Sequence, residues 1–361
     1  MDNYRFPDDD AVDYVTAMRE SIKLMAVAPM RVSAPMYAMT YLAPLSEIIL
    51  PAFVPNVKGG SGSFKSSYTA LFLNHYGAKF TEYTMPADWL ATPNSLEKLT
   101  FHAKDVLLVI DDLRPATNPS EKKQLDDAVS RIARAVGNRQ GRSRLDSNSD
   151  FRRTFTPRGV VAMTAEKNAM GYSVNSRLMS IEVEAGEINA DKLTEAQSQR
   201  HVYAYAMRGF IEYVIEHWDE LNKVLPSRVA DTRALSNGNG HHKRLPNATA
   251  TLYTAFECAM SYAVSINAIN DTEADQLLDQ CYEALLDMAD VQSELTEAED
   301  PALKYLTIIS TLIAQNKAYL MGPVYEIDED GTEKRAHIGM GGTEKLGWHD
   351  GSNVYLLPGA Y

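Results

Sequence analysis

Ten residues, Lys58-Gly59-Gly60-Ser61-Gly62-Ser63-Phe64-Lys65-Ser66-Ser67, restrict the fold of this chain more than any other stretch. Three glycines let the backbone close around an anion and aim several N–H groups at it. The apolar and aromatic pattern after Lys65 predicts a helix, whose N-terminus adds positive dipole at the same point. Lys65 would reach the β- and γ-phosphates of a nucleotide, and the Ser66 hydroxyl would hold Mg2+. Gly59, Lys65 and Ser66 fit the spacing G-x-x-x-x-G-K-[ST], with Phe64 where the last glycine is expected. Taken alone, the same stretch also reads as a plain Gly/Ser loop.

The run Asp105-Val106-Leu107-Leu108-Val109-Ile110-Asp111-Asp112, roughly 45 residues downstream of the loop lysine, decides between the two. Five consecutive apolar residues predict a strand buried on both faces of a parallel sheet. Its C-terminal end is where open α/β sheets bind ligands. There Asp111 would bind Mg2+ through water, and Asp112 would polarise or position the attacking water. A core strand closed by an acidic turn is the alternative if the run is read in isolation.

A chain of 361 residues has room for two domains, or for one α/β domain with a large appendage, and 45% hydrophobic residues support a true core. The net charge of −13 argues against wholesale coating of nucleic acid but leaves room for a local basic channel. Cys258 and Cys281 are the only cysteines, both in helical-looking segments. That excludes a disulfide framework and a zinc knuckle, and the expected location is the cytoplasm. No signal peptide and no apolar run near ~18 residues is found, so membrane insertion is not expected.

In chain order, residues 1–45 read as an N-terminal helical arm with Tyr14, Met18, Ile22 and Met25 in helical spacing. Ala52–Val57 should be the strand leading into the glycine loop, awkwardly flanked by Pro51 and Pro55. Lys79–Tyr83 reads as a second strand, and a helix follows Thr92 with Pro93 at its first position. Asp88 and Glu97 are candidates for aligning a hydrolytic water, with an exposed helix charge as the plainer account of Glu97. Residues 119–136 form a helix with Leu125, Val129, Ile132 and Val136 on one stripe. The segment 137–153 then carries five arginines, Arg139, Arg142, Arg144, Arg152 and Arg153, against two aspartates. It suits a channel for a phosphate backbone, an arginine lent to a neighbour's nucleotide, or a mobile solvated loop. Arg158–Glu166 is an apolar strand that ends at Thr164, placed to sense a γ-phosphate. Arg177, before the strand Leu178–Glu184, is either a finger for an adjoining subunit's γ-phosphate or an ordinary surface ion pair. Residues 190–316 are helical in pattern, and the tail from Pro323 turns to strand-and-turn signals.

The order of these segments, closed by Leu346-Gly347-Trp348 and Val354–Pro358, resembles the ATPase part of phage, plasmid and integrative-element primase-helicase proteins. The resemblance covers roughly residues 45–225, and the tail more weakly. It implies a RecA-like or AAA+-like motor acting on DNA as a ring. Lys65 and Ser66 would then lie on ATP within the loop Gly59, Gly60, Ser61, Gly62, Ser63, Phe64, Lys65, Ser66 and Ser67. Asp111 would lie on Mg2+, and an arginine would cross the subunit interface.

The expected fold class is α/β, a P-loop NTPase with a mainly parallel central sheet (residues 46–225), a helical region (226–322) and a small β-rich or winged-helix-like tail (323–361). The expected function is an ATP-dependent DNA motor, a replicative helicase working as a homo-oligomer, with a hexameric ring, single-stranded DNA and a primase domain or protein as partners. A nucleotide-binding scaffold with little turnover and a small-molecule phosphotransferase are the competing classes.

Overall fold

The structure, a computed structural model, describes residues 1–141, 154–166, 172–236, 244–339 and 344–358. They divide into two compact units, Met1–Thr296 and Glu297–Tyr361. The division falls at 296/297.

The first unit opens with helices α1 (Tyr14–Lys23) and α2 (Met30–Leu42). There follow β1 (Val54–Lys58), α3 (Lys65–Leu73), β2 (Ala87–Asp88), α4 (Pro93–His102), β3 (Leu107–Leu113), α5 (Pro119–Asn138), β4 (Val160–Ala165), α6 (Tyr172–Asn175) and β5 (Leu178–Glu182). Five helices complete the unit: α7 (Ala190–Ser198), α8 (Tyr203–Glu216), α9 (Trp218–Ser236), α10 (Leu245–Ser265) and α11 (Asp271–Ala298). The strands form one parallel sheet in the order β2-β3-β4-β1-β5.

Because side chains alternate across a strand, the apolar run in β3 feeds two cores. Leu107 and Val109 face a layer with α2, α3, α8 and α10, whereas Leu108 and Ile110 face one with α4 and α5. Pro55 is tolerated in a central strand for a local reason. Val54 N–H donates to the Arg177 carbonyl on the β5 side at 2.8 Å, so the Pro55 nitrogen faces β4, whose pairing with β1 starts one residue later, at Asn56.

Lys79–Tyr83 is not a strand. Thr81 N–H donates to Thr84 Oγ1 at 2.8 Å and Thr84 N–H to the Thr81 carbonyl at 3.0 Å, so these threonines close a turn. The second strand is the shorter β2. Thr92 caps α4, its hydroxyl accepting from Ser95 N–H at 3.3 Å, with Pro93 first in the helix as expected.

The helical layer is polar at one buried point. Ser21 Oγ lies 2.7 Å from His75 Nε2, 2.9 Å from Tyr41 Oη and 3.1 Å from Tyr37 Oη, all without solvent contact. Burial lowers the His75 pKa to about 4, so the ring is neutral. Cys258 and Cys281 are buried in the same layer as free thiols.

The second unit contains α12 (Pro301–Ala314), β6 (Ala318–Met321), β7 (Val324–Ile327), β8 (Glu333–Arg335), β9 (Glu344–His349) and β10 (Val354–Leu356). These make a three-stranded sheet, β10-β9-β6, and a β7-β8 hairpin. Ile309 of α12 packs with Ala318, Leu320 and Leu346. Among the described residues, no helix is long and apolar enough to cross a membrane.

Candidate nucleotide site

The glycine loop leaves the central strand pinned on both sides. Val183 N–H donates to the Lys58 carbonyl at 2.7 Å, and Gly59 N–H donates to the Ala165 carbonyl at 3.0 Å. A Cβ on Gly59 would stand 2.6 Å from the Val183 oxygen and 2.7 Å from Ser63 Oγ, so only glycine fits there. Gly62 and Phe64 both have positive φ, 80° and 60°. The left-handed backbone at Phe64 is the physical reason glycine is expected at that place in the motif. Its ring is half exposed.

Ser63 N–H donates to Gly60 and Tyr68 N–H to Phe64. Among the described residues no acceptor is recorded for the N–H groups of Gly60, Ser61, Gly62, Phe64, Lys65, Ser66 and Ser67. Open backbone donors at the start of a helix are an arrangement that suits an anion. Lys65 is 8% exposed, and its ammonium makes no recorded ion pair among the described residues. A buried cation without a carboxylate is costly unless an anion joins it.

The strand order brings the acidic end of β3 to this loop. Ser66 Oγ donates to Asp111 Oδ1 at 3.0 Å. The strand between the two, β4, carries Thr164 as its last residue but one, which is fully buried and donates to the same Asp111 oxygen at 2.5 Å. Thr164 Oγ1 also accepts from Asp112 N–H at 2.9 Å, where Asp112 has φ 60°. Lys65, Ser66, Asp111, Asp112 and Thr164 thus meet at the C-terminal edge of the sheet. In this arrangement Thr164 sets the Asp111 carboxylate and the backbone at Asp112.

Asp88 ends β2 in register with Asp111 on β3, at the same sheet edge, whereas Glu97 and Arg177 lie elsewhere. Asp88 holds a turn, accepting from Leu90 N–H at 2.8 Å and Ala91 N–H at 3.1 Å. Glu97 is buried between α4 and α5, 3.8 Å from Arg131 Nη1, in a cleft of about 500 Å3 that Asp127, Arg134 and Asn138 also line. None of its recorded contacts joins it to Ser66 or Asp111.

Arg177 precedes β5, and the parallel register Val54↔Leu178 to Lys58↔Glu182 puts it at the sheet edge opposite the loop. Its guanidinium donates to the Ser173 carbonyl at 2.5 Å and Asn138 Oδ1 at 3.1 Å. Burial first, then Arg244 and Arg134, lower its pKa. No carboxylate pairs with it among the described residues.

Of the arginine-rich loop, Arg142, Arg144, Arg152 and Arg153 lie outside the described residues. Arg139 ends α5 with φ 50°, and its Nη1 is buried without a hydrogen-bond partner among the described residues. One residue with a structural bearing on these elements carried no signal in the sequence. Gln292 on α11 has no exposed surface and accepts from Ser180 N–H at 3.0 Å. An amide at an unremarkable helix position gives no pattern by which that contact could be read.

Fold and site together define a class, an α/β protein with a five-stranded parallel sheet and an acidic strand end beside a glycine loop that leads into a helix. No protein-family model and no curated protein matches the chain. Among solved structures, one described as an active helicase, SCCmec type IV Cch, is similar with a TM-score of 0.59 and 16% identity. That likeness covers 88% of this chain and 57% of the other, so the chain spans little more than half of that structure. An inhibitor-bound JCV helicase aligns over 63% of this chain and 65% of its own, with TM-score 0.34 and 11% identity. The apo NrS-1 C-terminal region aligns over 92% and 76%, with TM-score 0.35 and 10% identity. The likeness to the SCCmec structure gives the chain a helicase-like fold.

Proposed function

We propose that the chain is an ATP-hydrolysing DNA motor, a ring-forming replicative helicase of a phage or other mobile element. The single observation that supports it most is the 3.0 Å contact between Ser66 and Asp111 beside Lys65, which is buried and unpaired among the described residues. The hydroxyl and the carboxylate are hard oxygen donors of the kind Mg2+ takes, and the open N–H groups and Lys65 suit a triphosphate. Ser66 and Asp111 would hold Mg2+, which when bound neutralises charge on the β- and γ-phosphates. Lys65 and the loop from Gly59 to Ser67 bind and orient the triphosphate. Asp112, exposed at the strand end and set by Thr164, is the carboxylate assigned to the hydrolytic water. Glu97, engaged with Arg131 in the α4–α5 cleft, is not given that role.

Arg177 lies too far from its own loop to serve it, since the five residues of β5 alone span ~16 Å. Its role is therefore towards a neighbouring subunit's nucleotide, in a closed head-to-tail ring, which we take as a hexamer. Single-stranded DNA is the track, gripped by the loop that holds Arg139, Arg142, Arg144, Arg152 and Arg153, and a primase domain or protein is the partner in replication.

ATP turnover with and without single-stranded DNA tests the reading. A several-fold stimulation by DNA, abolished by Lys65→Ala, is the expected result. Uptake of ATP with no turnover under either condition favours a nucleotide-binding scaffold and ends the motor reading.

A further inference from the structure

We infer that Gln292 is a positioning residue, latching the turn between α6 and β5 that carries Arg177; this rests on reading Arg177 as the cation donated to a neighbour. β5 is an edge strand with β1 as its strand partner, so among the described residues its outer N–H groups have no ladder to join. The Gln292 side chain supplies one. Its Oε1 accepts from Ser180 N–H at 3.0 Å and its Nε2 donates to the Asn175 carbonyl at 2.8 Å. The second bond satisfies a carbonyl at the end of α6 that the short helix leaves open.

Together the two bonds bracket residues 176–179. A side-chain amide offers an acceptor and donors on one planar group, so Gln292 grips a backbone donor and a backbone acceptor at once. Thr296 steadies it, donating to the Gln292 carbonyl at 2.8 Å and lying 3.4 Å from Nε2. Further along β5 a cleft of about 430 Å3, lined by Ser180, Glu182, Asp287, Met288 and Val291, opens between the strand and α11.

Arg177 depends on that backbone grip. Its Nη atoms are tied to Ser173 and Asn138, but its Nε is buried without an acceptor among the described residues. The side chain is anchored at its tip, and its root is set by the turn that Gln292 holds. A charge that must meet another subunit's phosphate tolerates little error, since misplacement by ~1 Å costs on the order of 100-fold in rate.

The test uses the full chain with Gln292→Leu, which keeps the bulk and removes the amide, beside Arg177→Ala. Gln292→Leu should bind a fluorescent ATP analogue as the wild type does, while turnover falls roughly 100-fold. Adding excess Lys65→Ala subunits, which cannot hydrolyse but carry an intact Gln292 and Arg177, should restore turnover at the Gln292→Leu sites they flank. A merely structural defect would not be rescued from a neighbour. Wild-type turnover by Gln292→Leu, or a loss that the added subunits do not repair, overturns the inference. Should Gln292→Leu not fold, Gln292→Glu, which keeps the acceptor for Ser180 but loses the donor to Asn175, enters the same complementation and is read the same way. Normal turnover by Arg177→Ala overturns the underlying arginine reading instead, so the two failures are distinct.

Discussion

The Ser66 hydroxyl on α3 and the Asp111 carboxylate at the end of β3 are joined by a 3.0 Å hydrogen bond across 45 residues of sequence. The pair satisfies itself, so Ser66 and Asp111 would have to part to offer both oxygens to a metal ion. Asp111→Asn keeps the acceptor and removes the charge. Mg2+-dependent nucleotide binding should weaken by at least about 10-fold, whereas binding in EDTA should change little. Calorimetric titration with and without Mg2+ separates the two.

Thr164 offers a sharper comparison, because one oxygen serves two aspartates. Thr164→Ser retains the hydroxyl and should bind Mg2+–nucleotide within about 3-fold of the wild type; Thr164→Val retains the shape alone and should lose roughly 10- to 100-fold. If the valine and serine variants bind alike, Thr164 does not orient Asp111.

Phe64 holds a left-handed backbone that costs a non-glycine residue on the order of 1 kcal/mol. Phe64→Gly should therefore keep nucleotide affinity, and Phe64→Val should lower it, since a β-branched residue tolerates that φ worst. Equal affinity in all three proteins would show that the loop re-forms in another conformation.

Acid should weaken the fold through His75. Its folded pKa, about 4, lies below its ordinary 6.5, so the folded state refuses a proton that the unfolded chain accepts. Stability is intact above pH 6.5 and is lost as pH falls from 6.5 towards 4, by about 3 kcal/mol at the lower end. The substitution His75→Gln replaces the imidazole with an amide that offers Ser21 a hydrogen bond without titrating. Urea midpoints across that range should drop for the wild type and flatten for the variant.

The loop from Gly59 to Ser66 and the strand ending at Asp111 were legible in the sequence because their chemistry needs particular residues at particular offsets. Their meeting at one edge follows from the parallel order of the strands. Less could be read where side chains act on distant backbone. Lys79–Tyr83 has strand-like composition, but hydroxyl bonds from Thr81 and Thr84 win locally. Thr164 announces a polar strand end, yet its two aspartate bonds depend on β4 lying next to β3. The position of Arg177 depends on register, which the residues before β5 do not encode, and Gln292 acts on Ser180 from 112 residues away.

The two thiols have a practical consequence. Burial pushes the Cys258 thiol up to about 12 and raises Cys281 as well, so at neutral pH neither offers a thiolate to a reagent. The native protein should therefore take up little maleimide dye. One cysteine introduced at an exposed aromatic, as Tyr83→Cys at a position 89% exposed, gives a single fluorophore address without stripping any sulfur from the interior. Energy transfer between such labelled copies can then count neighbours as nucleotide is added.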